Sequence, residues 1–148
     1  MRRPWTLRLL AFFMLSLGLG GLYGGTLMLT DPTGRSLEMS KVRPLLHVPN
    51  YILPGLFLFG VMGLTPLGLT YALLARPRWH WAEILCRQSR HYWAWTATLA
   101  IAAVLIIWLI VQVLLIGLHW PMQYITAGHG VIILLLALTP GVRKFYAI

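Results

Sequence analysis

The sequence predicts an all-α integral membrane protein, a four-helix bundle with its N- and C-termini in the cytoplasm. Of its 148 residues, 59% are hydrophobic and only 10% are charged, whereas soluble domains carry roughly 25% charged residues. Four apolar segments are each long enough to cross about 30 Å of hydrocarbon. The charged residues flank these segments and favour one side. We interpret residues 1–148 as a single membrane domain.

The first predicted span covers residues 5–29 and holds five glycines between Gly18 and Gly25. Glycine inside a helix costs roughly 0.5–1 kcal/mol relative to alanine, so this concentration requires a reason. After the span, Asp31-Pro32-Thr33-Gly34 fits a type I turn, with aspartate first, proline second and glycine last. This turn is expected to reverse the chain outside the membrane.

The second predicted span covers residues 51–75. Pro54 lies in its first turn, where a missing N–H costs least. Pro66 lies in its interior and removes the hydrogen bond to the carbonyl of Met62, so a kink is expected there. Membrane helices tolerate such kinks without a functional reason.

Residues 76–91 carry both charges and large apolar side chains. One interpretation is a short amphipathic helix on the inner membrane surface, with Trp81, Ile84 and Leu85 on one face. The other is a charged linker that only sets the topology. The sequence leaves both open.

The third and fourth predicted spans cover residues 92–118 and 122–139. Each carries a strongly polar side chain, Gln112 in the third and His129 in the fourth. Counting from the outer ends of the spans, both are expected roughly 8–15 Å below the outer surface. Polar groups at such depth usually face the bundle interior or a cavity.

The distribution of basic residues predicts the orientation. Three lie in the first loop and none in the third, whereas nine lie on the opposite side of the predicted spans: Arg2, Arg3, Arg8, Arg76, Arg78, Arg87, Arg90, Arg143 and Lys144. Because cytoplasmic flanks are enriched in Lys and Arg, both termini are expected inside.

The glycines, the glutamine and the histidine together suggest a candidate ligand-binding site in the outer leaflet. Small-xxx-small pairs allow helix backbones to approach closely, and the glycine arc is wider than one helix contact needs. Simple helix packing, with a Gln112–His129 hydrogen bond joining two helices, is the alternative. The candidate residues are Gly20, Gly21, Gly24, Gly25, Gln112 and His129.

Several functional classes find no support in the residues. The formal net charge is +9, and the basic residues that produce it flank the apolar segments. Membrane lipids with anionic headgroups are therefore the expected partners, and nucleic acid is not. The single cysteine, Cys86, forms no metal cluster or thiol pair. No catalytic residues are assigned, since Asp31, Glu38 and His47 match no recognisable mechanism, and an enzyme is the least supported interpretation.

Three interpretations of function are open. The first is a non-catalytic interaction or assembly subunit that associates with itself or with a larger membrane protein. The second is a lipid- or small-molecule-binding protein, related to transport, that uses the outer pocket. The third is a haem or pigment protein with His129 as one axial ligand. The other would be His47, His119 or Met122, or a residue of another chain. The residues do not identify a cofactor.

The chain resembles a group of small bacterial four-span membrane proteins of unknown function. The resemblance rests on GG…DPTG, YILPGL, WLIVQVLLIG and QYITAGHG, spread over nearly the whole chain. Members of that group often carry an acid at the position of Gln112. The resemblance implies a bacterial inner membrane location and supplies no activity.

Overall fold

A computed structural model describes residues 2–31, 52–117 and 121–147. Within these ranges the chain is helical and contains no β-strand, which confirms the all-α prediction for the described residues. The helices are α1 (Trp5–Thr30), α2 (Ile52–Ala75), α3 (His80–Leu85), α4 (Trp93–Ile116), α5 (Pro121–Leu138) and α6 (Pro140–Tyr146).

Three of these helices, α1, α2 and α4, are long and apolar enough to cross a membrane. A fourth candidate is α5 together with α6, which are bent by 63° relative to each other. The predicted third span extended to residue 118, but α4 ends at Ile116 because Gly117 leaves the helix with φ of 73°. The other predicted boundaries lie within one residue of the helices.

The four long helices pack around a common centre. Helix α1 contacts α2 on one side and α5 on the other, and α4 contacts both α5 and α2. We call the end near Trp5, Ala75, Trp93 and Leu138 the terminal end, because both chain termini lie there. We call the opposite end, near Thr30, Ile52, Ile116 and Pro121, the far end.

The fully buried side chains lie mainly in the terminal half and the middle of the bundle. The largest of them are Leu7, Leu10, Met14, Met62, Leu73, Leu105, Ile133, Val142 and Tyr146.

Glycines on both helices bring α1 and α2 close together. A Cβ atom at Gly25 would lie 2.6 Å from the backbone nitrogen of Phe59, and one at Gly21 would lie 2.7 Å from that of Gly63. The contact is reciprocal, since a Cβ at Gly63 would lie 2.9 Å from Leu22 Cδ2. No larger residue fits these positions without moving backbone, which explains their glycines.

The kink expected near Pro66 takes the form of a π-helical turn, Gly60–Leu64. Pro66 has no N–H to give to the carbonyl of Met62, so the ladder is interrupted at this level. The N–H of Thr65 donates to the carbonyl of Gly60, and its Oγ1 donates to the same oxygen at 3.0 Å. Such turns are a known way for a helix to absorb a break in its hydrogen bonds.

The bend between α5 and α6 follows from Pro140, which cannot donate to the carbonyl of Leu136. Thr139 satisfies that carbonyl instead, through its N–H at 3.2 Å and its Oγ1 at 2.7 Å. The next carbonyl, that of Ala137, accepts a hydrogen bond at 2.8 Å from Nε1 of Trp95 in α4. The broken hydrogen bonds are therefore replaced within the bundle.

Part of the predicted outer turn lies outside the described residues, namely Pro32, Thr33 and Gly34. The described part ends at Asp31, whose N–H donates to the carbonyl of Leu27 and ends α1. Glu38, His47 and His119 also lie outside the described residues.

Candidate functional site

The four candidate glycines of α1 divide into two pairs with different surroundings. Gly21 and Gly25 are buried against the backbone of α2, as described above. A Cβ at Gly24 would meet one atom, Leu58 Cδ1, at 3.9 Å, and one at Gly20 would meet no described atom within 4 Å. The glycines therefore do not form one wall, because half of them build the contact with α2.

Phe13 of α1 and His129 of α5 mark the level at which these helices touch. Their rings meet edge to face, with centroids 5.3 Å apart. Gly20 and Gly24 lie on the same side of α1 as Phe13, two and three turns closer to the far end. Ile125, one turn closer to the far end on α5, is 58% exposed. The α1–α5 contact thus opens between the Phe13–His129 pair and the far end.

The imidazole of His129 has one backbone partner and one unpartnered atom. The ring forms a hydrogen bond with the backbone of Ile125, one turn earlier in α5. Nε2 is buried and has no hydrogen-bond partner. An unpaired buried polar atom costs roughly 1–3 kcal/mol, so a polar ligand atom or a water beside Nε2 would stabilise it.

Gln112 and His129 do not form the pair that the sequence predicted. Gly130 packs against Leu105 and Ile106, since a Cβ there would lie 3.3 Å from Leu105 Cδ2. This contact puts His129 level with residues 105–106 of α4, and Gln112 lies six residues further along, about 9 Å towards the far end. The sequence estimate failed because it counted depth from span ends and did not know the register of the helices.

The two glycines beside His129 have different surroundings. Gly130 packs against α4, and Gly128 has no described atom within 4 Å of a Cβ position. Among the described residues, the ring of His129 contacts that of Phe13 on its α1 side.

A second apolar feature lies between α4 and α5 in the far half of the bundle. It is a groove of about 290 Å³. Its lining is almost entirely apolar and includes Leu109 and Val113 of α4 and Ala127 and Val131 of α5. Such a surface suits an acyl chain or an apolar helix and offers no polar group for catalysis.

Within the described ranges, no group of three or more His, Cys, Asp or Glu side chains converges to hold a metal ion. For the haem interpretation, the proposed second ligands His47 and His119 lie outside the described residues, and so does the side chain of Met122.

At the terminal end, a cluster of aromatic rings surrounds Arg76, which the sequence analysis did not anticipate. The guanidinium carbon of Arg76 lies 5.0 Å from the ring centre of Phe145, 5.4 Å from that of Tyr146 and 5.5 Å from that of Tyr92. Cation–π contacts of this kind each contribute about 0.5–1 kcal/mol at exposed sites. The cluster ties the end of α2 to α6.

Side chains from distant parts of the chain also cap the carbonyl end of α2. Pro77 has no N–H for the carbonyl of Leu73, and the Tyr146 hydroxyl donates to that carbonyl instead. Nη2 of Arg3 donates to the carbonyl of Leu74 at 2.8 Å. A proline after a helix was the available signal, but the sequence did not show which residues would replace its N–H.

Tyr92 joins the same cluster from the start of α4. Its hydroxyl donates to the carbonyl of Pro77, which also accepts a hydrogen bond from Nε1 of Trp93 at 3.2 Å. Burial raises the pKa of the Tyr92 phenol above its usual 10.0, because desolvation disfavours the phenolate.

Residues 76–91 contain one short helix, α3, and a 3₁₀ turn, Arg87–Ser89. The three apolar side chains expected to share a face are all exposed, Trp81 by 64%, Ile84 by 59% and Leu85 by 76%. Rings of Trp79 and Trp93 stack with their centroids 4.9 Å apart and tie the segment to α4. Part of the segment is therefore helical, with its apolar side chains turned away from the bundle.

The candidate site is thus the region between α1 and α5 on the far side of the Phe13–His129 contact, with the buried, unpaired Nε2 of His129 at its base. Among the described residues around it there is no nucleophile or carboxylate, so the site is suited to binding apolar groups. No protein-family model, curated protein or solved structure matches the chain.

Proposed function

We propose that this chain is a non-catalytic, multi-pass protein of the bacterial inner membrane that works by assembling with a second copy of itself. The membrane location is supported by three helices, or four with the bent pair, that are long and apolar enough to span a bilayer. Nine basic residues lie on the side of the terminal end and three lie in the first loop, on the opposite side. This difference supports a cytoplasmic location of the terminal end.

One observation carries the assembly proposal: Gly20 is an exposed glycine of α1, and no described atom lies within 4 Å of a Cβ position there. Gly24, one turn further along, is half-buried and would meet one described atom, Leu58 Cδ1, at 3.9 Å. Ser16 extends this small-residue edge by another turn, at the spacing that lets two helices approach closely. The neighbouring glycines, Gly21 and Gly25, show what this spacing achieves within the chain, because they bring α2 into backbone contact. The edge is suited to the same contact with another molecule.

Other open glycines lack this arrangement. Gly60 of α2 also has no described atom within 4 Å of a Cβ position. One turn later, however, α2 presents Leu64, which is 54% exposed and would hold another helix away. Gly60 is therefore a matched control, open to the surroundings but unsuited to close helix contact.

The test is self-association of Gly20→Leu and Gly60→Leu variants in lipid bilayers, measured by energy transfer between donor- and acceptor-labelled copies. We expect wild type and Gly60→Leu to associate and Gly20→Leu to lose most of the transfer, while all three keep their helix content. Equal energy transfer in the two variants would reject assembly through this edge. Absence of energy transfer in the wild type would also reject it, and a larger membrane protein would then be the partner to seek.

A second candidate function is the binding of a lipid-like molecule in the opening between α1 and α5. The unpartnered Nε2 of His129 favours it, because a ligand hydroxyl would satisfy that atom if the Phe13 ring moved aside. Replacement of His129 by phenylalanine should then abolish retention of co-purified lipid in mass spectra. Unchanged retention in this variant would exclude His129 as the anchor.

A further inference from the structure

We propose that Arg3 and Arg76 form a binding site for the phosphate group of an anionic phospholipid at the terminal end of the bundle. Both side chains are exposed. Both guanidinium groups lie close enough to the Tyr146 hydroxyl to act on it electrostatically, so they share one small region of the surface.

The protein itself fixes the position of both cations. Arg76 follows the last residue of α2, and its guanidinium rests among three aromatic rings. Arg3 is held by its hydrogen bond to the carbonyl of Leu74. Because a guanidinium has five N–H donors, each arginine keeps donors for an anion, and little side-chain entropy is lost when the anion binds.

The charges at this site are not balanced within the described residues. The carbonyl end of α2 supplies the equivalent of about half a negative charge, which is less than one guanidinium carries. Arg78 adds a further positive charge two residues later. The described acids are Asp31, at the opposite end of α1, and Glu83 in α3, which acts electrostatically on Tyr92 of the same cluster and offsets one of the three positive charges. A net positive charge remains, which an anion from outside the chain would neutralise.

The apolar surroundings favour a phospholipid over a soluble phosphate compound. The segment that follows Arg76 exposes Trp79, Trp81, Ile84 and Leu85. Indole rings and aliphatic side chains beside cations are typical of the membrane–water interface, where headgroup phosphates lie next to the first methylene groups. A dissolved phosphate would use the cations and leave this apolar surface unused.

The test uses the full-length protein in neutral detergent and follows its thermal unfolding midpoint as short-chain lipid is added. The probes are dioctanoyl-phosphatidylglycerol, dioctanoyl-phosphatidylcholine and inorganic phosphate. We expect phosphatidylglycerol to raise the midpoint in a saturable way, and the other two to change it much less. An equal effect of both lipids, or an equal effect of inorganic phosphate, would overturn the proposal.

Two substitutions localise the effect. Arg3→Gln should raise the half-saturating concentration of phosphatidylglycerol about fivefold, as expected for loss of one basic residue at an anionic surface. Arg87→Gln removes an exposed arginine of the 3₁₀ turn and should leave that concentration unchanged. Arg3 precedes α1, so its substitution leaves the core of the bundle unchanged. Equal behaviour of Arg3→Gln and Arg87→Gln would place the lipid elsewhere and overturn the proposal.

Discussion

Gly20 and Gly21 are adjacent in the sequence, yet they face different surroundings. A helix turns by about 100° per residue, which directs Gly21 into the backbone of α2 and Gly20 to the open side of α1. The run of glycines therefore serves two purposes. Gly18, Gly21 and Gly25 close the α1–α2 contact, and Gly20 with Gly24 forms a second small-residue edge with few described neighbours.

Leucine substitutions should separate these two environments. Gly21→Leu forces a branched side chain against the backbone of Met62 and Gly63 and should cost at least about 1–3 kcal/mol, as overpacking does. Gly20→Leu should leave stability nearly unchanged. Thermal unfolding in detergent measures both. Similar melting temperatures for the two variants would mean that α1 and α2 do not pack as described.

The buried phenol of Tyr92 predicts a loss of stability at alkaline pH. Its pKa is raised in the folded state, so its contribution is complete below the usual value of 10.0 and is lost as the pH rises through the folded-state pKa. The free energy of unfolding should therefore fall above pH 10. In a Tyr92→Phe variant this fall should be shallower, whereas Tyr71→Phe, at an exposed position, should behave like wild type.

At the scale of helices and loops, three breaks in regular structure coincide with a proline. Pro66 follows the π turn of α2, Pro77 follows the end of that helix, and Pro140 begins α6 after the bend. In each case a neighbouring group replaces at least part of the missing hydrogen bonding. The replacements at Pro77 and Pro140 come from other helices and therefore join the elements to one another.

Trp95 provides the most direct test of these replacements. Trp95→Phe keeps the aromatic ring but removes the N–H that donates to the carbonyl of Ala137. A buried carbonyl left without its partner should cost about 1–3 kcal/mol. The control is Trp5→Phe, because Trp5 is 70% exposed. If both variants unfold at the temperature of the wild type, the indole does not hold the bend between α5 and α6.

The sequence predicted the long helices well because their length and hydropathy are local properties. Its estimates failed where the outcome depends on how helices are placed against each other. The matched depth of Gln112 and His129 required the α4–α5 register, which Gly130 and its contact with Leu105 determine. The cluster around Arg76 required contacts between residues about 70 positions apart, such as Tyr146 with Leu73, which no periodic pattern encodes.

At the scale of the whole molecule, the two ends of the bundle differ in construction. The terminal end is closed by α6, by aromatic rings and by side-chain caps on α2. Towards the far end, two turns beyond the Phe13–His129 contact, no described atom lies within 4 Å of a Cβ position at Gly20. Among the described residues, ring contacts and side-chain caps therefore concentrate at the terminal end.

The proposed orientation can be measured by cysteine labelling. Ser36 lies between α1 and α2 in the sequence, and a Ser36→Cys variant lacking Cys86 should react with an impermeant thiol reagent added outside intact cells. A cysteine at Ser89, in the segment between α2 and α4, should react only after the cells are opened. The reverse pattern would invert the orientation.

Assembly of two copies through the edge formed by Gly20 and Gly24 is the central claim, and disulfide crosslinking in native membranes tests it most directly. In a background lacking Cys86, a Gly20→Cys variant should form a covalent dimer on mild oxidation. Close helix approach would bring the two Cα atoms of residue 20 within the range of roughly 4.4–6.8 Å that a disulfide allows. Gly60→Cys, which also has no described atom within 4 Å of its Cβ position but lies one turn from the exposed Leu64, should remain monomeric. A Gly20→Cys variant that stays monomeric, or one that crosslinks no more than Gly60→Cys, would contradict the account.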